Sequence, residues 1–435
     1  MNTPSFQEAH ISQIPAIQLL QQLGFSYLSP EESAVERRGK MGRVLLEGVL
    51  AAQLKRINRI RSKGRELAFD DDAISRAIEA LRDLPVNDGL GRTSEKVYDL
   101  LTLGKSIDQT IDGETKGHTL RYVDWEHPRN NSFHVTAEFE VARTASYQPR
   151  VPDIVCFVNG IPFVVIECKR PDDKDAIPAA IKQTIRNWED AEIPQLFIYA
   201  QLVIGLNKND GIYGTTGTPQ KFWARWKELP EATVELKAVL DQQPRREEHD
   251  KLFRGQFAYA RTYFEEQAAA GPREITGQDK LLFALCRPER LVEIARQFIV
   301  FDEGGTLKKV ARYQQYFAVR RTIERIRQND GEGRRKGGVI WHTQGSGKSL
   351  TMVMLGKALA LEPGIGSPRI VLVTDRIDLD EQIWKTFHQC GKDPIQAKTG
   401  KHLAELLADD RVAVITTVLD KFSAAADLAA KAGAV

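Results

Sequence analysis

Pro152-Asp-Ile-Val-Cys-Phe-Val-Asn-Gly-Ile-Pro-Phe-Val-Val-Ile-Glu-Cys-Lys-Arg-Pro171 holds two short apolar, β-branched runs, Ile154 to Val158 and Phe163 to Ile166. Such runs read as buried strands, and the Asn159-Gly160 pair between them is a strong short-range hairpin signal. The polar exceptions lie at the outer ends. Asp153 opens the first strand, and Glu167-Cys168-Lys169 closes the second. Successive strand side chains alternate faces, so Glu167 and Lys169 share one face and Cys168 points to the other. Two carboxylates converging from neighbouring strands can hold Mg2+, a hard cation that prefers oxygen, and a lysine beside them can orient an attacking water or stabilise a charged transition state. That is a minimal constellation for metal-assisted phosphodiester hydrolysis. The alternative is that Glu167 and Lys169 are solvent-face residues of an edge strand.

Register separates the two readings. A strict two-residue turn at Asn159-Gly160 places Asp153 opposite Ile166 and sends Glu167 to the other face of the sheet. One extra residue restores a common face for Asp153 and Glu167. A bulge or odd-length connection at Val158-Asn159-Gly160 is therefore expected.

Outward from this hairpin, Phe133 to Val141 alternates like a half-buried strand, Ala176 to Asp190 reads as a helix, and Gln195 to Leu206 reads as a further buried strand. The region is thus strands with helices. Nearer the N-terminus, Leu46, Val49, Leu50, Leu54, Ile57 and Ile60 recur at helical spacing, which predicts an amphipathic helix from Gly42 to about Arg65. Its other face carries Lys55, Arg56, Arg59, Arg61, Lys63 and Arg65. A solvated face is preferred there over a track for a phosphate backbone. A second helix is expected from Asp72 to Leu84. Residues 215 to 271 are rich in charge and aromatics, including Phe222, Trp223, Trp226, Phe253, Phe257, Tyr259, Tyr263 and Phe264. Packed core is the preferred reading over a base-stacking platform.

Further on, Gly337-Gly-Val-Ile-Trp341 reads as a strand, followed by His342-Thr-Gln-Gly-Ser-Gly-Lys-Ser349 and an apolar helical run from Leu350 to Leu361. Strand, Gly-rich loop and helix in that order form a phosphate-binding loop. Gly345 and Gly347 let successive N–H groups turn toward phosphates, and the helix start adds its positive dipole end. Lys348 would reach the β- and γ-phosphates, while the Ser349 hydroxyl would ligate Mg2+. The pattern departs from the usual one at its first position, where His342 replaces Gly. Downstream, strands and helices alternate as in a parallel α/β sheet.

Composition bounds these readings. The 435 residues are 42% hydrophobic and 28% charged, with 32 Gly and 19 Pro, a globular profile that excludes collagen-like, disordered and membrane classes. At roughly 150 residues per domain, the length predicts two or three domains. Lys plus Arg number 61 against 59 Asp plus Glu, so a net charge of +2 gives no global signal for nucleic acid or membrane. Cys156, Cys168, Cys286 and Cys390 are scattered, which suggests reduced core residues rather than disulfides or zinc. With no apolar run near 18 residues and no signal-peptide pattern, no membrane partner and a cytoplasmic location are expected.

Pro152-Asp153, Val164-Val-Ile-Glu-Cys-Lys-Arg-Pro171, Tyr213-Gly-Thr with Phe222-Trp223, and Trp341-His-Thr-Gln-Gly-Ser-Gly-Lys-Ser349 together resemble the restriction (motor) subunit of type I restriction-modification enzymes, over nearly the whole chain. The resemblance implies an α/β fold made of a PD-(D/E)xK endonuclease domain (residues 1–230), a helical linker (231–275) and the first RecA-like parallel-sheet lobe of a superfamily-two helicase motor (276–435). Asp153, Glu167 and Lys169 match the nuclease motif, with Asp153 and Glu167 as metal ligands. Gln183 matches the glutamine of a Gln-x-x-x-Tyr motif, although Asn187 stands where the tyrosine is expected.

In the motor, the resemblance gives Gln315 to adenine recognition. Thr343, Gln344, Gly345, Ser346, Gly347, Lys348 and Ser349 go to the nucleotide phosphates, with Ser349 also on the metal. Val371 to Asp380 and Ile415 to Phe422 resemble DNA-facing helicase motifs, so Asp375 is not assigned to Mg2+. The implied cofactors are Mg2+ and ATP, and the implied partners are double-stranded DNA and the specificity and methylation subunits. No carboxylate box or second RecA-like lobe follows Phe422, so an incomplete motor without a full ATP hydrolysis cycle is expected. The competing reading is a DNA-repair or remodelling ATPase with a non-cleaving, DNA-binding N-terminal domain.

Overall fold

A computed structural model of the chain describes residues 7–242, 245–343, 345–365, 369–374, 394–409, 411–412 and 414–431. They form two compact units. The first runs to Arg296 and takes in Glu303–Val310; the second is made of Gln297–Asp302 and the chain from Ala311 onward.

The first unit is built on a mixed six-stranded sheet. Its strands, in spatial order, are β1 (Ser26–Leu28), β2 (Phe133–Ala137), β3 (Ile154–Val158), β4 (Ile161–Cys168), β5 (Leu202–Asn207) and β6 (Asp210–Gly214). β1 runs parallel to β2 and β4 parallel to β5, while the other pairs are antiparallel. Every residue of β3 and β4 is buried, which explains why these strands read as continuous apolar runs rather than alternating ones. Helix α1 (Ile14–Gln22) packs near β1 and β2, α2 (Ala176–Asn187) covers β5, and α3 (Gly277–Cys286) lies against α1 and β6. Gly205 on β5 lets α2 come close, since a Cβ there would stand 3.0 Å from the Ala180 Cβ.

Several expected elements differ. The helix expected to reach Arg65 ends at Ile57. Asn58 is extended, its side chain donates to the Leu54 carbonyl and accepts from the Arg121 N–H, and the chain turns into a hairpin of Ile60–Ser62 with Arg65–Leu67. Lys63 and Gly64 both take positive φ at its tip. The helix expected at Asp72 forms as Asp71–Arg82, capped by Asp70, whose carboxylate accepts from the Ala73 N–H. The strand expected from Gln195 begins only at Leu202, because Pro194–Phe197 is a short helix started by its proline. The strand from Phe133 stops at Ala137, where Glu138 turns to φ +51°.

The second unit holds α4 (Tyr313–Ile326), α5 (Lys348–Ala360) and a three-stranded parallel sheet. Its strands β7 (Ile370–Thr374) and β8 (Ile395–Gln396) flank β9 (Val414–Val418), all in parallel. Leu403, Leu406, Ile415 and Ala425 lie at its core. Gly337–Trp341 does not form the expected strand: among the described residues nothing pairs with it along a ladder, and Val339 and Trp341 are about nine-tenths exposed, at 90% and 91%. A strand needs a neighbour for its N–H and C=O groups. Cys156, Cys168 and Cys286 are free and buried, as expected, while Cys390 lies outside the described residues. Among the described residues no helix is long and apolar enough to cross a membrane.

Candidate active site

The hairpin turn is regular. Val158 pairs with Ile161 and Phe157 with Pro162, and both turn residues take positive φ, Asn159 at +53° and Gly160 at +80°, as a two-residue type I′ turn requires. The extra residue expected at the turn is instead taken up farther along. Cys156 pairs with Val164 and Ile154 with Ile166, so the register shifts between Phe157 and Cys156 and Phe163 is left without a partner. The physical reason is twofold. Asn159 is buried and tied to the Tyr122 carbonyl, the Ser132 N–H and Asn131, which leaves no room in the turn. Pro162, which has no N–H, stands directly beside the shift, a position where prolines within sheets are tolerated.

With the shift in place, Asp153 comes opposite Glu167. The Asp153 Oδ2 accepts a 2.6 Å hydrogen bond from the Cys168 N–H. Lys169 Nζ donates to Glu167 Oε1 at 2.8 Å and to the Cys168 carbonyl at 2.7 Å. The Lys169 N–H continues the pairing of β4 with β5 by donating to Leu206 O. Glu167 is 1% exposed, so this is not a solvent-face pair on an edge strand.

Burial dominates the electrostatics. It raises the Asp153 carboxyl well above its ordinary range, and the Glu167 charge pushes in the same direction against the pull of Lys169 and the Cys168 N–H. Glu167 is also raised, by burial first, with Lys169 opposing. Burial alone would lower the Lys169 ammonium, but Glu167, Asp153 and Glu8 outweigh it and hold it above the usual lysine range. Glu8 is itself raised, by burial and then by the Asp153 charge. The cluster thus gathers more carboxylate than its one lysine neutralises. Among the described residues no group of three or more His, Cys, Asp or Glu side chains forms a ready-made metal cage. The pair Asp153 and Glu167 nevertheless suits Mg2+, which commonly takes only one or two protein carboxylates and keeps several waters.

Gln183 is half-buried on α2 and, among the described residues, makes no hydrogen bond to Asp153, Glu167 or Lys169. Asn187 is buried at the end of α2 and accepts from Arg186. Of the basic stretch, Lys55 pairs with Asp71, Arg61 with Glu66, and Lys63 and Arg65 with Asp112. Arg56 donates to the Asn130 carbonyl and Arg59 to that of Asn58. Most of its charge is therefore met within the protein. Phe253, Phe257 and Phe264 are buried core, as expected, whereas Tyr259 and Phe222 remain exposed.

In the second unit, helix α5 begins at Lys348, directly after Gly347 in the left-handed region (φ +83°) and close to Gly345 (φ +76°). The Ser346 N–H and hydroxyl both donate to the Thr343 carbonyl, at 3.2 and 2.7 Å, which folds the loop on itself. Gln315, on α4, is 2% exposed. Its Nε2 donates to the Gly347 carbonyl at 3.2 Å and its Oε1 accepts from the Arg312 N–H at 2.8 Å. So the structure brings Gln315 to the Gly-rich loop, and Lys348 stands exposed at the helix start. Gln344, the Ser349 side chain and Asp375 lie outside the described residues.

Residues 5–222 match the family described as the type I restriction enzyme R protein N terminus. The chain belongs to this family. Residues 314–433 match a second family, the SWI2/SNF2 ATPases. The type I restriction enzyme HindI endonuclease subunit of Haemophilus influenzae is 32% identical over 422 residues, covering 94% of this chain and 36% of that protein. A relative from Methanocaldococcus jannaschii, named provisionally for the same kind of subunit, is 28% identical over 428 residues, 95% of this chain and 37% of its own length. The chain thus spans little more than a third of the length of these curated relatives.

Some residues at this site were not singled out from sequence. Glu8, Ser12, Gln13 and Glu138 gather around Asp153 and Lys169. The only available signal was a weak one, a polar Ser12-Gln13 pair leading directly into the apolar run from Ile14; Glu138 falls on the polar phase of the alternation from Phe133 to Val141 and does not stand out.

Proposed function

We propose that the chain is the nuclease-bearing part of a type I restriction subunit, in which Mg2+-dependent hydrolysis of unmodified double-stranded DNA follows ATP-driven translocation. The observation that carries this is the register shift at Phe163, which sets Asp153 opposite Glu167 with Lys169 bonded to Glu167. The first unit is read as a PD-(D/E)xK endonuclease domain, and the second as a RecA-like motor lobe. Support for the lobe comes from its parallel sheet and from the Gly-rich loop opening α5. Residues 231–275, expected as a helical linker, lie within the first unit.

In this reading Asp153 and Glu167 hold the metal, which when bound supplies positive charge to the scissile phosphate and an activated water. Lys169, kept protonated by its carboxylate neighbours, stabilises charge that develops on the phosphate. Gln183, half-buried on α2, is a supporting residue. Thr343, Gln344, Gly345, Ser346, Gly347, Lys348 and Ser349 take the ATP phosphates, with Ser349 on Mg2+. Gln315 links the start of α4 to that loop and reads the adenine side. The subunit works in the cytoplasm with specificity and methylation subunits.

The test uses the full-length subunit assembled with those partners on unmodified DNA. Lys169→Ala should abolish cutting while ATP turnover continues. If Lys169→Ala complexes cut normally, or if Mn2+ titrated calorimetrically onto the parent protein gives no heat that Asp153→Ala removes, the non-cleaving DNA-binding reading replaces this one.

A further inference from the structure

Asp153 and Lys169 both lie one residue outside the regular strands β3 and β4. Main-chain pairing still reaches each of them, through the Lys169 N–H to the Leu206 carbonyl and the Glu138 N–H to the Asp153 carbonyl. Two buried side chains add to it. Residues Ala9–Gln13 form a single π-helical turn leading into α1, a widened turn that recurs at functional sites. It turns two consecutive side chains, Ser12 (0% exposed) and Gln13 (4%), inward together. Ser12 Oγ donates to the Lys169 carbonyl at 2.9 Å. Gln13 Nε2 donates to the Asp153 carbonyl at 2.9 Å and to Glu138 Oε1 at 2.6 Å. The Glu138 N–H completes the arrangement by donating to the same Asp153 carbonyl at 3.0 Å. Behind the turn, Gln278 on α3 donates to the Ser12 carbonyl at 3.3 Å, so the π turn is itself anchored in the core.

We infer that Ser12 and Gln13 are positioning residues of the nuclease site: a two-pronged clamp that sets the spacing between the Asp153 carboxylate and the Glu167–Lys169 pair. The inference rests on the nuclease reading above. Each prong grips a peptide carbonyl, not a reacting group, so the clamp acts through Asp153 and Lys169. Gln13 also occupies Glu138 Oε1, which holds that carboxylate in a fixed place beside Asp153. A buried amide and hydroxyl, each spent on the main chain of a motif residue far away in sequence, are costly to place and gain nothing from solvent. Their consequence is a fixed geometry at the strand ends, where a displacement of about 1 Å can cost on the order of a hundredfold in rate.

The experiment compares parent, Gln13→Leu and Ser12→Ala as full-length subunits in the assembled complex, measuring DNA cleavage against Mg2+ concentration alongside thermal melting. Gln13→Leu is expected to lower cleavage by roughly ten- to a hundredfold and to raise the Mg2+ needed for half-maximal cutting, as is usual when residues supporting metal ligands are lost. Ser12→Ala should shift both in the same direction. The clamp is overturned if either folded variant cuts within about twofold of the parent, well short of that loss. It is overturned equally if cleavage falls with the Mg2+ requirement unchanged and in step with the melting temperature, the mark of a purely structural role. Asp153→Ala, run beside them, separates the two levels. If it still cuts, the nuclease reading itself fails, whatever the clamp variants do.

Discussion

Asp153 and Glu167 hold their protons to higher pH than free carboxyls because both are withdrawn from water. In the metal-free protein the folded state then binds these protons more tightly than the unfolded chain. Stability is highest in acid and falls as pH rises from the ordinary carboxylate range through the raised folded values. Asp153→Asn removes that loss while leaving an oxygen for the Cys168 N–H. In chelator, its melting temperature should exceed the parent's at pH 8. The two melting curves should converge only as pH falls below the ordinary carboxylate range. Lys308 behaves in the opposite sense. It is 1% exposed, its Nζ donates to the Ala200 carbonyl at 2.9 Å and to Ser94 Oγ at 3.2 Å, and burial pushes its pKa down to about 7. Between about pH 7 and the ordinary lysine range the unfolded chain binds more protons, so stability rises with pH there; below that window the whole cost of charging a buried amine stands. Lys308→Met should flatten the rise, as read from melting temperatures at pH 7 and pH 9.5.

A single surplus residue on β4 decides the chemistry of the hairpin. Deleting Phe163 would bring the pairing into one uniform register and turn Asp153 and Glu167 to opposite faces. Such a variant should lose DNA cleavage completely while its circular dichroism still reports the sheet. Gly160 tests the turn independently. At φ +80° an added Cβ would lie 2.6 Å from the Leu46 carbonyl oxygen, so Gly160→Ala should destabilise by about 1–3 kcal/mol in urea denaturation. Legibility at this scale was uneven. Ile154–Val158 formed to the residue as read, because continuous β-branched burial on both faces is unambiguous. The bulge expected at Val158-Asn159-Gly160 sits instead at Phe163, next to Pro162, a residue type that within sheets is confined to edges, strand starts and bulges. The helix expected from Gly42 to about Arg65 forms only over Glu47–Ile57, and its last part becomes a hairpin although Ile57 and Ile60 stand at helical spacing. Only the capping of Asn58 and the positive φ of Lys63 and Gly64 choose between helix and hairpin.

For the whole molecule, two compact units imply two separable losses. In the assembled complex Asp153→Ala should stop cutting and leave ATP turnover intact. Lys348→Ala, at the start of α5, should stop both, since translocation precedes cleavage in the proposed cycle. Parallel ATPase and plasmid-cleavage assays read the two out directly. Net charge carries none of this information. The chain is close to neutral at +2, and the one basic stretch that suggested a DNA track is largely paired within the protein through Asp71, Glu66 and Asp112.

The sequence alone determined the residue types and their order: two carboxylates and a lysine at the ends of two buried strands, and a Gly-rich loop ahead of an apolar helix. Those follow from local rules of strand alternation, turn chemistry and helix starts, which need no partner from elsewhere in the chain. What only the tertiary structure decided was whether the carboxylates meet. That depends on where the surplus residue of β4 is absorbed, and on Ser12, Gln13 and Glu138, which arrive at Asp153 and Lys169 from distant segments. Hydrogen bonds across such separations leave no periodicity in the sequence, so the clamp becomes visible only once the chain is folded.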